Sequence, residues 1–400
     1  MSILDFFRNK PRDKFAQYYQ SRLIAFGERR TIEYDANEFL LRIGRNDGAG
    51  EVIAYLHNCY ENQRKAPEPE REAIIDQFIV GFMELTPEDP VAIRASLRPV
   101  VKSLSDIYLY SLRSQVDQGK PFEIPYRNIA GDLVLVLALD TPNGIHLLER
   151  SKFETWSIDY EDADKISIEN LRAVTTPSFE QIEAGIWLSQ WGDAYDAARL
   201  LLPEVFANLP LKGMPVVLVP DRDRLLVTGS EDTQGLKGMV SAANNIREEA
   251  HRPVSGTALM LLDGVWQEFI PEGDLGIEFA NLSKLFRAQD YAEQKQLLER
   301  KFQAENRDVF VATYELRETA GEPAYRSMCT LTKGVPSFLP KTDNIAFISL
   351  EEKLIFRARW EEAQRVAPHF FCREDMYPER WFVDAFPTPE ELMRMGAMKI

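Results

Sequence analysis

The sequence predicts an α+β protein, with mixed helices and mostly antiparallel sheets in two domains. Three observations carry this expectation. Short strand-like runs are joined by tight polar turns, as at Asp221-Arg222-Asp223 and Asp263-Gly264. A segment of helical period stands between them, giving the order hairpin, helix, hairpin over 215–270. The breaker-rich stretch P-E-G-D-L-G at 271–276 then separates a second set of strand signals.

In chain order, Ile3, Leu4, Phe6 and Phe7 are followed by Arg8, Lys10, Arg12 and Lys14, so aromatic and basic groups share adjoining helical faces. Such a segment docks on its own domain, and the alternative is peripheral contact of residues 1–14 with an anionic membrane. Pro11 punctuates the segment, after which Phe15, Tyr18, Tyr19 and Leu23 recur at helical period up to a C-cap at Gly27. The β-branched and aromatic runs at 31–35 and 38–44 read as two paired strands. Val52, Leu56, Cys59 and Tyr60 suggest a helix, K-A-P-E-P-E breaks it, and Ile74, Ile75, Phe78, Ile79 and Phe82 suggest another, with helices continuing to about Ser103.

A Gly-Lys-Pro break at 119–121 precedes D-L-V-L-V-L-A-L-D at 132–140, whose continuous apolarity predicts a central strand buried on both faces. His146 on the following segment has no Asp, Glu or Cys at ligand spacing, so it reads as a packed or edge residue. The acids of 159–164 suit the first turn of a helix, and the loop glycine of an EF-hand is missing.

The stretch W-G-D-A-Y-D-A-A-R-L-L-L-P at 191–203 predicts a helix that Gly192 turns into and Asp193 caps, with Tyr195, Ala198, Leu201 and Leu202 on its apolar face. Next, P-V-V-L-V-P and R-L-L-V-T-G form a hairpin, and Gly-Ser-Glu-Asp leads into a helix holding Leu236, Met239 and Val240. Asp263-Gly264 joins a further hairpin. Beyond 276, strands are expected at 307–317, in Y-R-S-M-C-T-L-T and in N-I-A-F-I-S. The proline-bracketed loop 333–343 could present Phe338 and Leu339 as a binding edge, although a proline-rich connection between strands is more often only structural, and the aromatic tail 369–382 is expected to dock on a core.

Composition narrows the function. The 400 residues are 45% hydrophobic and 28% charged, ordinary values for a globular chain. A net charge of −16 without a basic stripe disfavours nucleic acid as a partner. No run approaches the roughly 18 apolar residues of a spanning helix, and no secretory h-region opens the chain, so a cytoplasmic location is expected. Three widely spaced cysteines offer neither a disulfide framework nor a zinc spacing. No metal or cofactor is expected.

The candidate charged cluster is Asp193, Asp196, Arg199, Asp221, Arg222, Asp223, Arg224, Ser230 and Glu231. Carboxylates can serve as bases and arginines can clamp an oxyanion, which would make the chain a hydrolase. Alternating charges in a tight connection also neutralise one another in solvent, and that structural reading is preferred. A phosphate loop fails on sign, because Glu231 and Asp232 already place negative charge at the helix start. Ser230 lacks the G-x-S-x-G frame of a nucleophile elbow.

Three stretches, W-G-D-A-Y-D-A-A-R-L-L-L-P, V-P-D-R-D-R-L-L-V-T-G-S-E-D and L-L-D-G-V-W-Q-E-F, together with Arg98-Pro99-Val100-Val101 and the strand at 132–140, resemble the bacterial YtpQ-like family, a domain of unknown function. The resemblance covers roughly residues 28–270. It implies a soluble α+β domain and carries no activity, substrate or catalytic residue. The domains expected are thus an N-terminal helical segment at 1–27, the YtpQ-like domain at 28–270 and a smaller α+β domain at 271–400. The leading functional expectation is a non-catalytic cytosolic interaction or regulatory protein that binds a protein or peptide at a sheet edge.

Overall fold

The computed structural model describes residues 3–36, 39–44, 51–83, 89–141, 144–250, 253–318 and 324–399, with the side chains of 3–10 and 51–53 excepted. It bears out the α+β class, with mostly antiparallel sheets. The chain forms two compact units. The first holds residues 1–97 and 138–147, and the second holds 98–137 and 148–400.

The first unit comprises α1 (Ile3–Ala25), β1 (Ile32–Asp35), β2 (Leu40–Gly44), β3 (Glu51–Tyr55), α2 (His57–Lys65), α3 (Arg71–Met83) and α4 (Pro90–Ser96). Pro11 lies inside α1 instead of ending it. Phe15, Ala16, Tyr19 and Leu23 are buried with Phe39, Leu41 and Tyr60 in one core, and this packing favours the continuous helix over the break that proline alone would suggest. Tyr18 falls off that stripe and is 40% exposed, so it is not part of the expected face. Gly27 closes α1 as expected. Its φ of 109° lets Gly27 N reach Ile24 O and Glu28 N reach Leu23 O, the paired bonds of a Schellman cap.

The expected hairpin is present, with Ile32 opposite Ile43 and Asp35 opposite Leu40. Residues 51–55, expected to open a helix, form a third strand on β2 instead, where β-branched Val52 and Ile53 suit a pleated ladder. The side chains of Ile3, Leu4, Phe6, Phe7, Arg8 and Lys10, expected to share adjoining helical faces, lie outside the described residues. Arg12 lies over the Phe39 ring, 5.2 Å from its centroid.

Next come β4 (Leu97–Ser103), α5 (Leu104–Gln118), β5 (Tyr126–Ala130), β6 (Leu133–Thr141) and β7 (Gly144–Leu147). The helical run expected to reach Ser103 ends at Ser96, because Pro99, Val100 and Val101 favour strand. β6 is the expected buried strand, lying between β4 and β5 and also pairing β7. His146 sits on β7 opposite Leu139.

The second unit continues with α6 (Arg150–Trp156), α7 (Tyr160–Ala173), β8 (Phe179–Glu183), β9 (Ile186–Ser189), β10 (Pro215–Asp221), β11 (Arg224–Gly229), α8 (Thr233–Glu249), β12 (Leu259–Leu262), β13 (Val265–Glu268) and α9 (Asp274–Ala304). Asp159 caps α7, accepting from Glu161 N and Asp162 N. The strands form a six-stranded sheet in the order β13-β12-β10-β11-β9-β8. Leu236, Met239 and Ala243 of α8 bury against Val216, Leu218 and Leu226, and Phe279, Leu282 and Phe286 of α9 complete that core.

At its other end α9 sends Leu298 and Phe302 into a second cluster with Val311 and Phe338. One helix of 31 residues, about 46 Å long, therefore serves two cores. The boundary expected at 271–276 falls inside this unit, at the start of that helix.

The remainder comprises β14 (Phe310–Val311), β15 (Glu315–Arg317), β16 (Arg326–Thr332), β17 (Ser337–Pro340), β18 (Asn344–Ser349), β19 (Leu354–Arg359), α10 (Trp360–Val366), β20 (Cys372–Arg373), β21 (Arg380–Val383), α11 (Pro389–Arg394) and β22 (Met398–Lys399). The run at 307–317 is thus two short strands in different sheets. The loop expected at 333–343 is also corrected. Its residues 337–340 pair antiparallel with β21, and Phe338 and Leu339 are buried, so they present no binding edge. Pro340 is tolerated at the strand end, where no ladder donor is required. Phe371 and Trp381 of the tail pack in the core with Trp360, as expected.

Candidate functional site

The charged segment at 191–203 is an irregular turn, not the expected α-helix. Gly192 and Ala194 have φ of 64° and 67°, and only 3₁₀ turns follow, at Ala197–Leu201 and Pro203–Phe206. Side chains replace the helical ladder. Asp196, 1% exposed, accepts from Trp191 N at 3.1 Å and Gly192 N at 3.0 Å. Asp193 accepts from Tyr195 N at 3.1 Å and receives both terminal nitrogens of Arg199, at 2.7 and 2.6 Å.

Arg199 is fully buried, with its guanidinium 4.3 Å from the Trp191 ring centroid and Nε donating to Thr175 Oγ1 at 3.1 Å. Burial opposes the Asp193 charge, but the Arg199 bonds outweigh it and hold the carboxyl below its usual range.

The turn between β10 and β11 uses its charges similarly. Asp221 accepts from Asp223 N at 2.9 Å and lies 3.6 Å from Arg224. Arg222 pairs with Asp223 at 3.1 Å, and Arg222 O accepts from Ala197 N at 3.2 Å. Burial raises the Asp221 pKa, with Arg224 opposing. Ser230 Oγ accepts from Met214 N at 2.9 Å, and Glu231 N donates to Lys212 O. A side chain at Gly229 would meet Lys212 O at 2.1 Å, which explains the glycine at this close approach.

Asp193 and Arg199 are therefore together, as are Asp221 and Arg224, with the two groups tied by one backbone bond. Ser230 and Glu231 bond to the neighbouring 212–214 segment.

A polar cleft of about 90 Å³ opens elsewhere in the second unit, lined by residues that include Lys102, Asp106, Tyr110, Arg113, Asp290 and Glu293. None belongs to the candidate set. Arg113 pairs with Glu293, and Lys102 lies 3.5 Å from Asp106. Burial, reinforced by Asp106, Asp132 and Glu293, pushes the Asp290 carboxyl well above the usual range. Among the described residues, no three His, Cys, Asp or Glu side chains come together to hold a metal.

One face of the five-stranded sheet β15-β16-β18-β19-β22 is partly open: Met328 and Ala346 on it are buried, whereas its β19–β22 side is exposed. Cys329, Leu331, Ile345, Phe347 and Ala358 point into the core with Trp360, and Phe356 packs against it. Their neighbours consequently form the opposite face. The register places Thr330, Ala346, Arg357 and Met398 in one row and Thr332, Ile348 and Ile355 in the next. Ile355 and Met398 are 39% and 59% exposed, and Arg357 is exposed beside them. The sequence reading missed this face, although the alternation in L-I-F-R-A-R at 354–359 carried its signal.

Comparisons with protein-family models, curated proteins and solved structures gave no match to the chain.

Proposed function

We propose that this chain is a cytosolic, non-catalytic interaction protein that docks a protein or peptide partner on the outer face of β16, β18, β19 and β22. The observation that supports the reading is the apolar group of Ile348 and Ile355 in one row and Met398 in the next, two of the three solvent-exposed, on a sheet whose other face is a packed core. Exposed apolar groups rimmed by polar ones mark interaction surfaces. The hydrolase alternative has less support, because Arg199 is buried and its fork is closed on Asp193. The YtpQ-like resemblance of residues 28–270 brings no activity, so the reading rests on this surface. A photo-crosslinking amino acid placed at Ile355 should give a discrete crosslinked protein in cells, and one placed at exposed Val174 should not. Equal products from both positions, or none, would contradict the reading.

A further inference from the structure

The outer face of the five-stranded sheet carries a charge opposite to that of the chain as a whole. With 63 acids against 47 Lys and Arg, an average stretch of surface is acidic. Yet β16, β18, β19 and β22 contain Arg326, Arg357 and Arg359 on that face, with Lys399 opposite the core-packed Phe356, and no Asp or Glu. The register puts Arg357 beside Met398 and Ala346, Arg359 opposite Asn344, and Arg326 opposite Arg317, all on the open face. Glu315 of β15, opposite Met328 on the same face, pairs with Arg317, and Glu352 at the β18–β19 turn pairs with Lys333, each at 2.9 Å. Among the described residues, Arg357 and Arg359 are exposed and have no ion-pair partner.

We propose that the partner of this face is an acidic peptide segment with interspersed apolar side chains, its carboxylates received by Arg357 and Arg359 and its apolar groups by Ile348, Ile355 and Met398. The inference rests on the docking reading above and adds the chemistry of the partner. Guanidinium groups receive carboxylates through paired N–H donors, and the threonines and aliphatics between them let the apolar side chains lie flat on the sheet. The acidic remainder of the molecule repels an acidic segment elsewhere, so charge selects the face as well as the partner.

The test uses the purified full chain and fluorescence anisotropy with three short labelled peptides that alternate Val with Glu, Gln or Lys. The Glu peptide should bind, weaken as salt rises, and lose at least about tenfold in affinity to an Arg357→Glu/Arg359→Glu variant. Both positions are exposed, and an Arg357→Gln/Arg359→Gln variant, expected to weaken binding in the same direction, guards against misfolding of the reversal. Equal binding of the Gln and Glu peptides, abolished by Ile355→Asp, would overturn the acidic partner and leave the docking surface standing. No binding of any peptide would overturn the inference, and so would preference for the Lys peptide. Self-association that the same variants abolish, or binding to phosphatidylserine vesicles without binding to the Glu peptide, would overturn it in favour of a second copy or a lipid surface.

Discussion

Arg380 donates its Nε to Gln294 Oε1 at 2.6 Å, with the two residues only 0% and 1% exposed. The terminal nitrogens of Arg380 donate to the carbonyl oxygens of Ala312 at 2.9 Å, Phe338 at 3.0 Å and Tyr291 at 3.3 Å. Burial lowers its pKa to about 10. Neutral oxygens from α9, β17 and the 312 segment thus solvate a buried cation and join three elements of the second unit. Arg380→Ala should cost about 3–5 kcal/mol, because it leaves a cavity and several unpaired carbonyls. Gln294→Ala should cost about 1.5–3 kcal/mol, and the double variant less than the sum. Urea unfolding measures all three, and strict additivity would show that the two residues are not coupled.

The Asp193–Arg199 pair has a defined pH signature. A carboxyl whose folded pKa is depressed contributes stability above its unfolded value, and that stability is lost as pH falls through the folded value. The wild-type advantage over Asp193→Asn should therefore be full at neutral pH and shrink below about pH 4, the ordinary carboxylate range. Urea midpoints measured across that range check this. A difference independent of pH would remove the ion pair from the explanation.

Asp290 predicts the opposite slope. Its raised folded pKa means that its contribution is present below the unfolded value, about pH 4, and is lost as pH rises through the folded value. Asp290→Asn should match wild type in acid and be the more stable of the two at neutral pH. Thermal melts at both pH values decide it, and a variant less stable at neutral pH would contradict the assignment.

These relationships were unequally legible in the sequence. The turn at Asp263-Gly264 and the strand at 132–140 could be read directly, because local φ preference and continuous apolarity fix them whatever surrounds them. The φ values of 51° and 80° at Asp263 and Gly264 are those of the expected tight hairpin. The 191–203 segment was misread because its shape depends on Arg199 finding Asp193 and Thr175, and spacing alone does not reveal such contacts. The 337–340 strand was missed for a related reason. Its prolines resemble loop punctuation until β21, some forty residues on, supplies the ladder. The outer sheet face became visible only when register brought Arg326, Arg357 and Met398 onto one surface.

The cysteines provide a simple check of the burial pattern. Cys59 and Cys329 are buried, with their thiols pushed up to about 12, whereas Cys372 is exposed. Native protein should take up one maleimide rapidly, at Cys372, and three only after unfolding. Fast labelling of Cys329 without denaturant would contradict the packing of β16 against the core.

Docking on the outer sheet face is read most directly by a methyl NMR titration of the full chain with the alternating Glu/Val peptide. Shifts are expected at the methyls of Ile348, Ile355 and Met398, with the buried Met239 in α8 unchanged. Shifts confined to other surfaces, or an unchanged spectrum at saturating peptide, would contradict it.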